Sequence, residues 1–310
     1  MIFAWSAAGN KVDASQHVEL LEKALDAGRT FFDDDRERAL DVIPNASCDA
    51  IDACLKRAKS RGEPVAVLHL LCHGGVRDDQ TFGLVLSESD DPGARDFVGP
   101  SRLQALLQKY AGLVRLVVIA ACDGGNAGEV GDELGSVAQA LHRAGLPAVI
   151  ASRFPLSYDG ARVFAAAFYD ALLRELGSLE EAFLAARGKL SLRGTYDWAS
   201  LQLYAREADG DATYLFNARP YRGLSAFQPE HARFFFGRDA EADELIRELD
   251  ALVAKKKPCF MVVAGAAGTG KSSMVLAGAI PKLVARALKA GEGFEHMVVR
   301  RGATPAAALA

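Results

Sequence analysis

The sequence predicts an α/β fold whose sheet is mostly parallel and is covered by helices on both faces. Short apolar runs alternate along the chain with segments of helical periodicity, which is the rhythm of such a sheet. Two of these runs, residues 65–72 and 114–121, are almost wholly apolar and long enough for central buried strands. With 310 residues, half of them hydrophobic, the chain can build one large core or two ordinary ones.

The first 64 residues predict two strands, each followed by a helix. Residues 2–6 form an apolar run, and residues 18–27 then carry apolar side chains at helical spacing until a glycine ends the pattern. Residues 39–43 predict a second strand. Ser47 or Asp49 would cap the next helix, which ends near residue 61 before a glycine and a proline.

The middle of the chain holds the two central strands. Residues 65–72 form the first of them, and residues 82–86 predict a short hairpin after a polar loop. Ser101 resembles the N-cap of a helix that continues to Tyr110. The second central strand, residues 114–121, follows this helix.

Helices and two further strands complete this first region. Residues 136–144 predict a helix ended by a glycine, residues 148–152 a strand, and residues 160–176 an amphipathic helix. The run Ser178-Leu-Glu-Glu181 is a capping-box pattern that starts one more helix. Residues 200–204 predict a sixth strand at an edge of the sheet.

Composition and charge exclude several classes of protein. The formal net charge is −4, so the chain lacks the basic surface that nucleic-acid binding requires. No stretch approaches the roughly 18 apolar residues of a membrane span, and the N-terminus lacks a basic leader. Five irregularly spaced cysteines favour a reducing compartment over a disulfide framework. These features predict a cytoplasmic protein without nucleic-acid partners.

A histidine and a cysteine follow the two central strands. His73 comes directly after one and Cys122 after the other, 49 residues further on. Reactive residues belong at the carboxyl ends of parallel strands, and this spacing matches the roughly 50 residues of the caspase pattern. An imidazole beside a thiol can accept its proton and later protonate the leaving amine. We therefore predict that Cys122 is a nucleophile and His73 its base.

The residues around this pair suggest how a substrate would be held. Glycines follow the histidine, so the backbone N–H groups of Gly74 and Cys122 could bind an oxyanion. Asp123 would favour a basic P1 side chain, whereas Arg153 would favour an acidic one. Asp159 could also reach this pocket, although its position suits a helix N-cap. The P1 preference is left open.

The remaining cysteines and the second histidine of the strand have simpler explanations. His69 and Cys72 lie within the predicted strand at 65–72, where core packing is the expectation. Three further cysteines, Cys48, Cys54 and Cys259, have no partner pattern. Histidine and cysteine do not recur at the spacing of metal ligands.

Three segments resemble the CHAT peptidases, bacterial relatives of caspases and separases. They are residues 67–75 (VLHLLCHGG), 117–122 (VVIAAC) and 144–152 (AGLPAVIAS), and the match continues at residues 164–169, 185–187 and Trp198. The resemblance covers residues 1–206 and implies a caspase-like three-layer αβα fold with a six-stranded, mostly parallel sheet. It also implies peptide hydrolysis without a cofactor. At Gly124 the chain departs from the small hydroxyl residue usual in that family and agrees with caspases themselves.

Residues 265–272 (GAAGTGKS) form a P-loop between a predicted strand, residues 259–264, and an apolar helix. The predicted nucleotide-binding residues are Gly265, Gly268, Gly270, Lys271, Ser272 and Ser273. Glycines let backbone N–H groups face phosphate oxygens, and the lysine supplies positive charge. Ser272 would bind Mg²⁺ through the nucleotide.

Sequences on both sides of this loop resemble the STAND class of signal-transducing ATPases. They are residues 235–239 (FFGRD) and 277–281 (AGAIP). The resemblance implies a switch that binds ATP and Mg²⁺ and that oligomerises in the full-length protein. Phosphoryl transfer needs an acidic residue at a second strand end, and none follows Lys271, although residues 296–300 predict another strand. We expect a truncated module, and ATP hydrolysis by this chain alone is not expected.

The predicted organisation is a peptidase domain at 1–206, a linker at 207–230 and the start of an NTPase domain at 231–310. The leading hypothesis is a cysteine endopeptidase regulated by the STAND module, cleaving a protein such as a pore-forming or other effector. By family analogy this would serve bacterial defence or regulated cell death. The alternative is a STAND signalling ATPase with a catalytically silent caspase-like adaptor.

Overall fold

The computed structural model of the chain describes residues 1–8, 14–28, 40–76, 82–122, 133–152, 156–174, 177–206, 225–255, 260–290 and 293–298. The chain divides into two compact units, Met1–Ala218 and Arg219–Ala310. All strands of the described sheet belong to the first unit.

The first unit alternates strands with helices. Its strands are β1 Ile2–Trp5, β2 Asp41–Ile43, β3 Val65–Val76, β4 Phe82–Ser87, β5 Arg95–Val98, β6 Val114–Cys122, β7 Ala148–Ser152 and β8 Leu201–Ala205. Its helices are α1 Ser15–Gly28, α2 Cys48–Ser60, α3 Pro100–Leu107, α4 Glu133–Arg143, α5 Tyr158–Tyr169, α6 Leu179–Ser191 and the single turn α7 Asp197–Ser200. A 3-10 turn, Gln108–Tyr110, extends α3, and a π-helical turn, Asp170–Arg174, extends α5.

Six strands form the main path of the sheet, in the order β2-β1-β3-β6-β7-β8. The first five of these are parallel to one another, and β8 pairs with β7 in the antiparallel sense. The expected mostly parallel sheet is confirmed, with β8 as an antiparallel edge, but the described sheet has eight strands and not the expected six, because β4 and β5 are joined to the end of β3. The predicted hairpin is formed by β4 and β5, and it extends the end of β3.

Two clusters of buried apolar side chains cover the two faces of this sheet. One cluster joins strand residues such as Leu68 and Val117 to helices α2, α3 and α4. The other joins Val67 and Leu116 to helices α1, α5 and α6. Neighbouring residues of one strand thus serve opposite faces, as the two-residue repeat of a strand requires. The result is the expected three-layer order of helices, sheet and helices.

Polar residues begin several of these helices. The hydroxyl of Ser47 caps α2 by accepting a hydrogen bond from a backbone amide of the first turn at 3.1 Å. Ser178 and Glu181 form the predicted capping box of α6, with bonds of 2.8 and 3.2 Å. The predicted cap at Ser101 is wrong, because α3 begins with Gly99 as its N-cap and proline at the first helical position. Proline suits that position, since its amide would have no partner within the helix.

The regular secondary structure described in the second unit is helical. Its elements are a 3-10 turn Pro229–Phe234, α8 Asp239–Ala254, α9 Lys271–Ser273, a π-helical stretch Met274–Ala279 and α10 Ile280–Ala290. The predicted strands at 259–264 and 296–300 are wrong for residues 260–264 and 296–298, the parts that the structure describes. A strand needs a neighbour for its backbone groups, and no described strand pairs with either segment.

A helix that crosses a bilayer must be both long and largely apolar. No helix in the described ranges is both long enough and apolar enough to cross a membrane. A crossing helix would need about 20 consecutive apolar residues.

Candidate active site

His73 and Cys122 are register partners at the end of the parallel ladder between β3 and β6. The ladder begins with Val65 opposite Val114 and has this pair as its last. Because paired positions on adjacent strands lie about 5 Å apart, the fold brings together two residues separated by 49 positions in sequence. The expectation that β3 stops before His73 is wrong, since the strand continues to Val76.

β3 continues because it changes partner at this point. From His73 onwards it pairs with β4 in the antiparallel sense, and His73 lies opposite Val85. Two facing glycines, Gly75 and Gly83, let the strands approach. A Cβ atom on Gly83 would lie 2.6 Å from both the Phe97 ring and a backbone oxygen of β5. Gly83 is therefore needed for close packing of the hairpin, and a Cβ atom on Gly75 would also lie 3.1 Å from a side-chain carbon of Val85.

The site lies on the sheet face covered by α1, α5 and α6. Leu71 and Ala120, each two residues before the pair, both belong to the cluster on that face. Residues two apart in a strand share a face, so position 73 is assigned to it as well. His73 itself is almost fully buried, with 9% of its surface exposed.

The backbone amide of Gly74 belongs to the side of β3 that faces β6. Ser6 N donates a hydrogen bond to Leu71 O at 2.9 Å, so Leu71 directs its backbone groups toward β1. Successive residues of a strand direct these groups alternately to their two neighbours, which assigns Gly74 to the β6 side. Its N–H group is thus on the same side of the strand as position 122.

A second histidine lies deeper on the same face. His69 is fully buried, and its Nδ1 atom is 2.8 Å from the hydroxyl of Tyr169. Burial, and to a smaller extent His17, lowers the pKa of His69 to about 3. Burial also raises the pKa of Tyr169 well above its usual range. His69 is therefore a neutral core residue, in agreement with the expectation from the sequence.

The described cysteines other than position 122 are also core residues. Cys48, Cys54 and Cys72 are buried, and Cys72 is the residue just before His73. Burial is the main cause that raises the pKa of the Cys48 and Cys54 thiols. A thiol with a raised pKa carries less thiolate and is less reactive. Cys259 lies outside the described residues.

The turn between β7 and α5 is fastened to the residue before Cys122. Leu156 N donates a hydrogen bond to Ala121 O at 3.2 Å. The next residue, Ser157, is the N-cap of α5 and accepts a hydrogen bond from Gly160 N at 2.9 Å. The start of α5 is thereby fixed relative to the end of β6.

A buried carboxylate, Asp197, holds this turn in place. It accepts hydrogen bonds from the backbone N and the hydroxyl of Ser157, at 3.0 and 2.7 Å, and from the Thr195 hydroxyl at 2.9 Å. A Cβ atom on Gly160 would collide with this carboxylate. Sequence reasoning missed Asp197, because its partner lies 40 residues away and no local pattern marks the contact.

The three residues predicted for a specificity pocket have different outcomes. Asp123 and Arg153 lie outside the described residues. Asp159 is not the N-cap of α5, since Ser157 fills that position. Its carboxylate pairs with Arg162 at 2.5 Å and with Arg193 at 3.6 Å, and a hydrogen bond from Arg162 lowers its pKa. Its place in a specificity pocket stays a prediction.

The P-loop of the second unit has a backbone that only glycine adopts easily. Gly268 and Gly270 have positive φ angles of 79° and 75°. The ammonium group of Lys271 donates to the backbone oxygens of Gly265 and Ala266 at 2.8 and 2.7 Å. The lysine is therefore held inside the curve of the loop, where phosphate would be bound.

The two serines after this lysine differ in their surroundings. Ser272 is exposed. Ser273 is buried, and its hydroxyl accepts a hydrogen bond from Phe227 N at 3.0 Å. Within the described ranges, histidine, cysteine and carboxylate side chains form no cluster of three that could hold a metal ion.

Comparisons with known proteins match both parts of the chain. Residues 10–206 match the model of the CHAT domain family, and residues 220–310 match the model named Novel STAND NTPase 1. A secreted C11 cysteine protease from Bacteroides thetaiotaomicron, solved in complex with an irreversible peptide inhibitor, is a structural match with 11% identity and a TM-score of 0.39. The alignment covers 66% of this chain and 65% of that structure. A search of curated proteins found no match.

Proposed function

The chain belongs to the CHAT family, and from this premise we propose that it is a cysteine endopeptidase with Cys122 as nucleophile and His73 as base. The observation that supports the assignment most directly is the register of β3 and β6, which makes these two residues partners. A nucleophile and its base must lie within hydrogen-bonding reach of each other, and partner positions on adjacent strands allow such an approach.

In the proposed reaction His73 accepts the thiol proton of Cys122, and the thiolate attacks the carbonyl carbon of the scissile peptide bond. The negative charge that develops on the carbonyl oxygen is bound by the N–H groups of Gly74 and Cys122. The protonated imidazole then donates its proton to the leaving amine, and an acyl-enzyme remains on the sulfur. Water, activated by the same imidazole, releases the acid and restores the thiol.

Two features of the surroundings support this proposal. The assignment of the Gly74 amide to the β6 side of its strand is the orientation that an oxyanion site needs. The hydrogen bond from Leu156 to Ala121 and the network around Asp197 fix the residues beside the nucleophile. A rigid backbone at this point lets the reacting groups keep their geometry during the reaction.

The second part of the proposal is regulation of the peptidase by the STAND module, through ATP and Mg²⁺. The loop fits phosphate, since Lys271 is held within its curve and Gly268 and Gly270 allow its backbone amides to turn inward. The phosphate groups of bound ATP would accept hydrogen bonds from the Lys271 ammonium group and from the backbone N–H groups of the loop. Ser272 would contact the metal ion. We further propose that the full-length protein oligomerises through this module and acts in bacterial defence or cell death.

The peptidase assignment is tested by a peptide-library cleavage profile of the purified chain, recorded with and without ATP and Mg²⁺. We expect cleavage to disappear in Cys122→Ala and to fall by at least a hundredfold in His73→Ala. The matched control is Cys72→Ala, which removes a buried thiol next to His73 and should keep the activity. The same profile shows whether an acidic or a basic P1 side chain is preferred.

A second measurement separates a peptidase from a silent adaptor. An electrophilic peptide should label Cys122, and mass spectrometry should find this label only when His73 is present, because the imidazole generates the reactive thiolate. Undiminished cleavage by Cys122→Ala would contradict the assignment. Absence of both cleavage and labelling in the wild-type chain would favour the adaptor.

A further inference from the structure

A groove crosses the outer surface of the helical layer formed by α1, α5 and the end of α6. Its volume is about 950 Å³. The floor consists of small or aliphatic residues, Leu20, Ala24, Val163, Ala166 and Ala167. Alanine at these positions leaves the space between the helices unfilled, because its side chain is a single methyl group. The groove therefore offers an apolar floor that is open along one side.

The rim of this groove is basic, although the chain as a whole is acidic. The formal net charge of the chain is −4. Five cationic residues line the groove against two carboxylates, Glu19 and Asp170; the cations are Lys23, Arg162, Arg174, Lys189 and Arg193. Such a local reversal of charge on an acidic protein indicates a surface that attracts an acidic partner.

Two of the cations are available for such a partner. Arg162 and Arg193 pair with Asp159, and Arg174 pairs with Asp170 at 2.6 Å. In the described part of the chain no ion pair involves Lys23 or Lys189. Both lysines are exposed. They can bind a carboxylate without first breaking an existing pair.

One leucine at the rim of the groove is exposed to solvent. Leu192 is 81% exposed, and it lies between Arg193 and the end of α6. Single exposed leucines are ordinary on protein surfaces, but this one borders a concave apolar floor. An apolar side chain of a partner could cover it while reaching that floor.

We propose that this groove binds an acidic amphipathic helix from a partner protein. An amphipathic helix places its apolar face in a hydrophobic groove and its polar side chains on the rim. A helix is about 10 Å across and rises 1.5 Å per residue, so this volume accommodates about two turns. The apolar face would cover the alanines and Leu192, and carboxylates would meet Lys23 and Lys189.

The second unit of the same chain shows the same recognition chemistry. Helix α8 carries Asp239, Asp243 and Asp250 on the side that meets α10. Lys282 binds the first two at 3.0 and 2.8 Å, and Arg286 binds Asp250 through two hydrogen bonds of 2.7 and 2.9 Å. Surface ion pairs thus join an acidic helix to a basic helix in this protein.

Other anionic ligands fit the groove less well. Nucleic acid is held by a continuous basic surface, whereas Glu19 and Asp170 interrupt this rim with negative charge. An anionic membrane surface is flat on this scale and would not reach the concave alanine floor. A helical peptide satisfies both the charge and the shape.

The test uses the whole chain with Cys122→Ala, so that no probe can be cleaved. The probe is a fluorescent peptide with the sequence of residues 239–254, which contains six carboxylates and one guanidinium. Fluorescence anisotropy should show binding that weakens as salt is added. We expect the double substitution Lys23→Glu and Lys189→Glu to weaken binding at least tenfold, and Leu192→Ser to weaken it at least threefold.

The matched control reverses two exposed charges on the opposite helical layer, Lys59→Glu and Arg61→Glu, and should change the affinity less than twofold. Circular dichroism checks that every variant is folded. The proposal is overturned if the wild-type chain does not bind the peptide, or if the reversed lysines leave binding unchanged. It is also overturned if anionic vesicles or single-stranded RNA bind through these lysines while the peptide does not. None of these outcomes bears on the peptidase, since the thiol is absent throughout.

Discussion

A buried histidine at His69 makes the stability of the first unit depend on pH. Its imidazole contacts the aromatic rings of Phe3 and Tyr169 and shares a hydrogen bond with the Tyr169 hydroxyl. The folded protein keeps this imidazole neutral. The pKa of about 3 in the folded state compares with an unperturbed value of 6.5. The unfolded chain therefore binds a proton on His69 between these two values, and the folded chain does not. The contribution of His69 to the free energy of unfolding is therefore fully present above pH 6.5, and it is lost progressively as the pH falls toward 3.

We predict that the free energy of unfolding falls by about 2 kcal/mol between pH 6.5 and 4.5 through His69 alone, because the slope rises toward about 1.4 kcal/mol for each pH unit below 6.5. The substitution His69→Gln keeps a group that can bond to Tyr169 but does not titrate, so the dependence should flatten by about this amount. Urea unfolding followed by tryptophan fluorescence measures the free energy of unfolding of the first unit at each pH, since both tryptophans, Trp5 and Trp198, lie in that unit.

The control for this experiment is His296→Gln, at an exposed position of the second unit. It should leave the pH dependence of the tryptophan signal unchanged. An equally steep loss of stability in wild type and His69→Gln would show that other groups cause the dependence.

Single residues differ in how far the sequence could predict them. His73 and Cys122 could be proposed because each follows an apolar run, and strand ends in α/β folds carry reactive groups. Asp197 could not, because two of its three hydrogen bonds come from Ser157, which is 40 residues away in sequence. The prediction that Asp159 caps α5 is wrong for a related reason: Ser157 and Asp159 both suit an N-cap, and only the backbone geometry selects the serine.

At the scale of elements, the hairpin β4–β5 depends on one glycine. Gly83 lies where β4 passes between the end of β3 and the Phe97 ring. An added methyl group would lie 2.6 Å from the oxygen of Val98, a backbone atom that cannot turn aside as a side chain can. The hairpin would have to shift, and β3 would move with it.

We predict that Gly83→Ala lowers the free energy of unfolding by about 1–3 kcal/mol, the usual cost of overpacking. Hydrogen exchange should be faster across residues 82–98 than in the wild type. The matched control is Gly93→Ala in the turn of the same hairpin, where the nearest atom would be 3.4 Å away. Wild-type exchange in Gly83→Ala would contradict the close packing of these strands.

Elements were predictable where a buried apolar run defined them. The central strands β3 and β6 followed directly from their composition, and the capping box located α6. No apolar run marks the continuation of β3 through two glycines to Val76. This part of the strand forms because its backbone pairs with β4. The run at 259–264 shows the opposite case: it is apolar enough for a strand, yet Phe260 is 82% exposed and no described strand pairs with it.

At the scale of the whole molecule, the buried clusters on the two faces of the sheet belong entirely to the first unit. Residues 1–218 should therefore fold without the remainder of the chain. We predict that this segment, expressed alone, has a free energy of unfolding within about 1 kcal/mol of the value that tryptophan fluorescence gives for the whole chain. A loss of more than 3 kcal/mol would show that the second unit contributes to the stability of the first. The domain limits predicted at 206 and 231 remain predictions.

The collision that a side chain at position 160 would make with Asp197 also has a meaning for evolution. The two positions are 37 residues apart, but neither can change freely while the other stays the same. Homologous sequences that carry an acid at the position of Asp197 should therefore carry glycine at that of Gly160. Lineages that lose the glycine should lose the acid as well. Such a correlation would identify relatives in which the turn beside the cysteine is fastened in the same way.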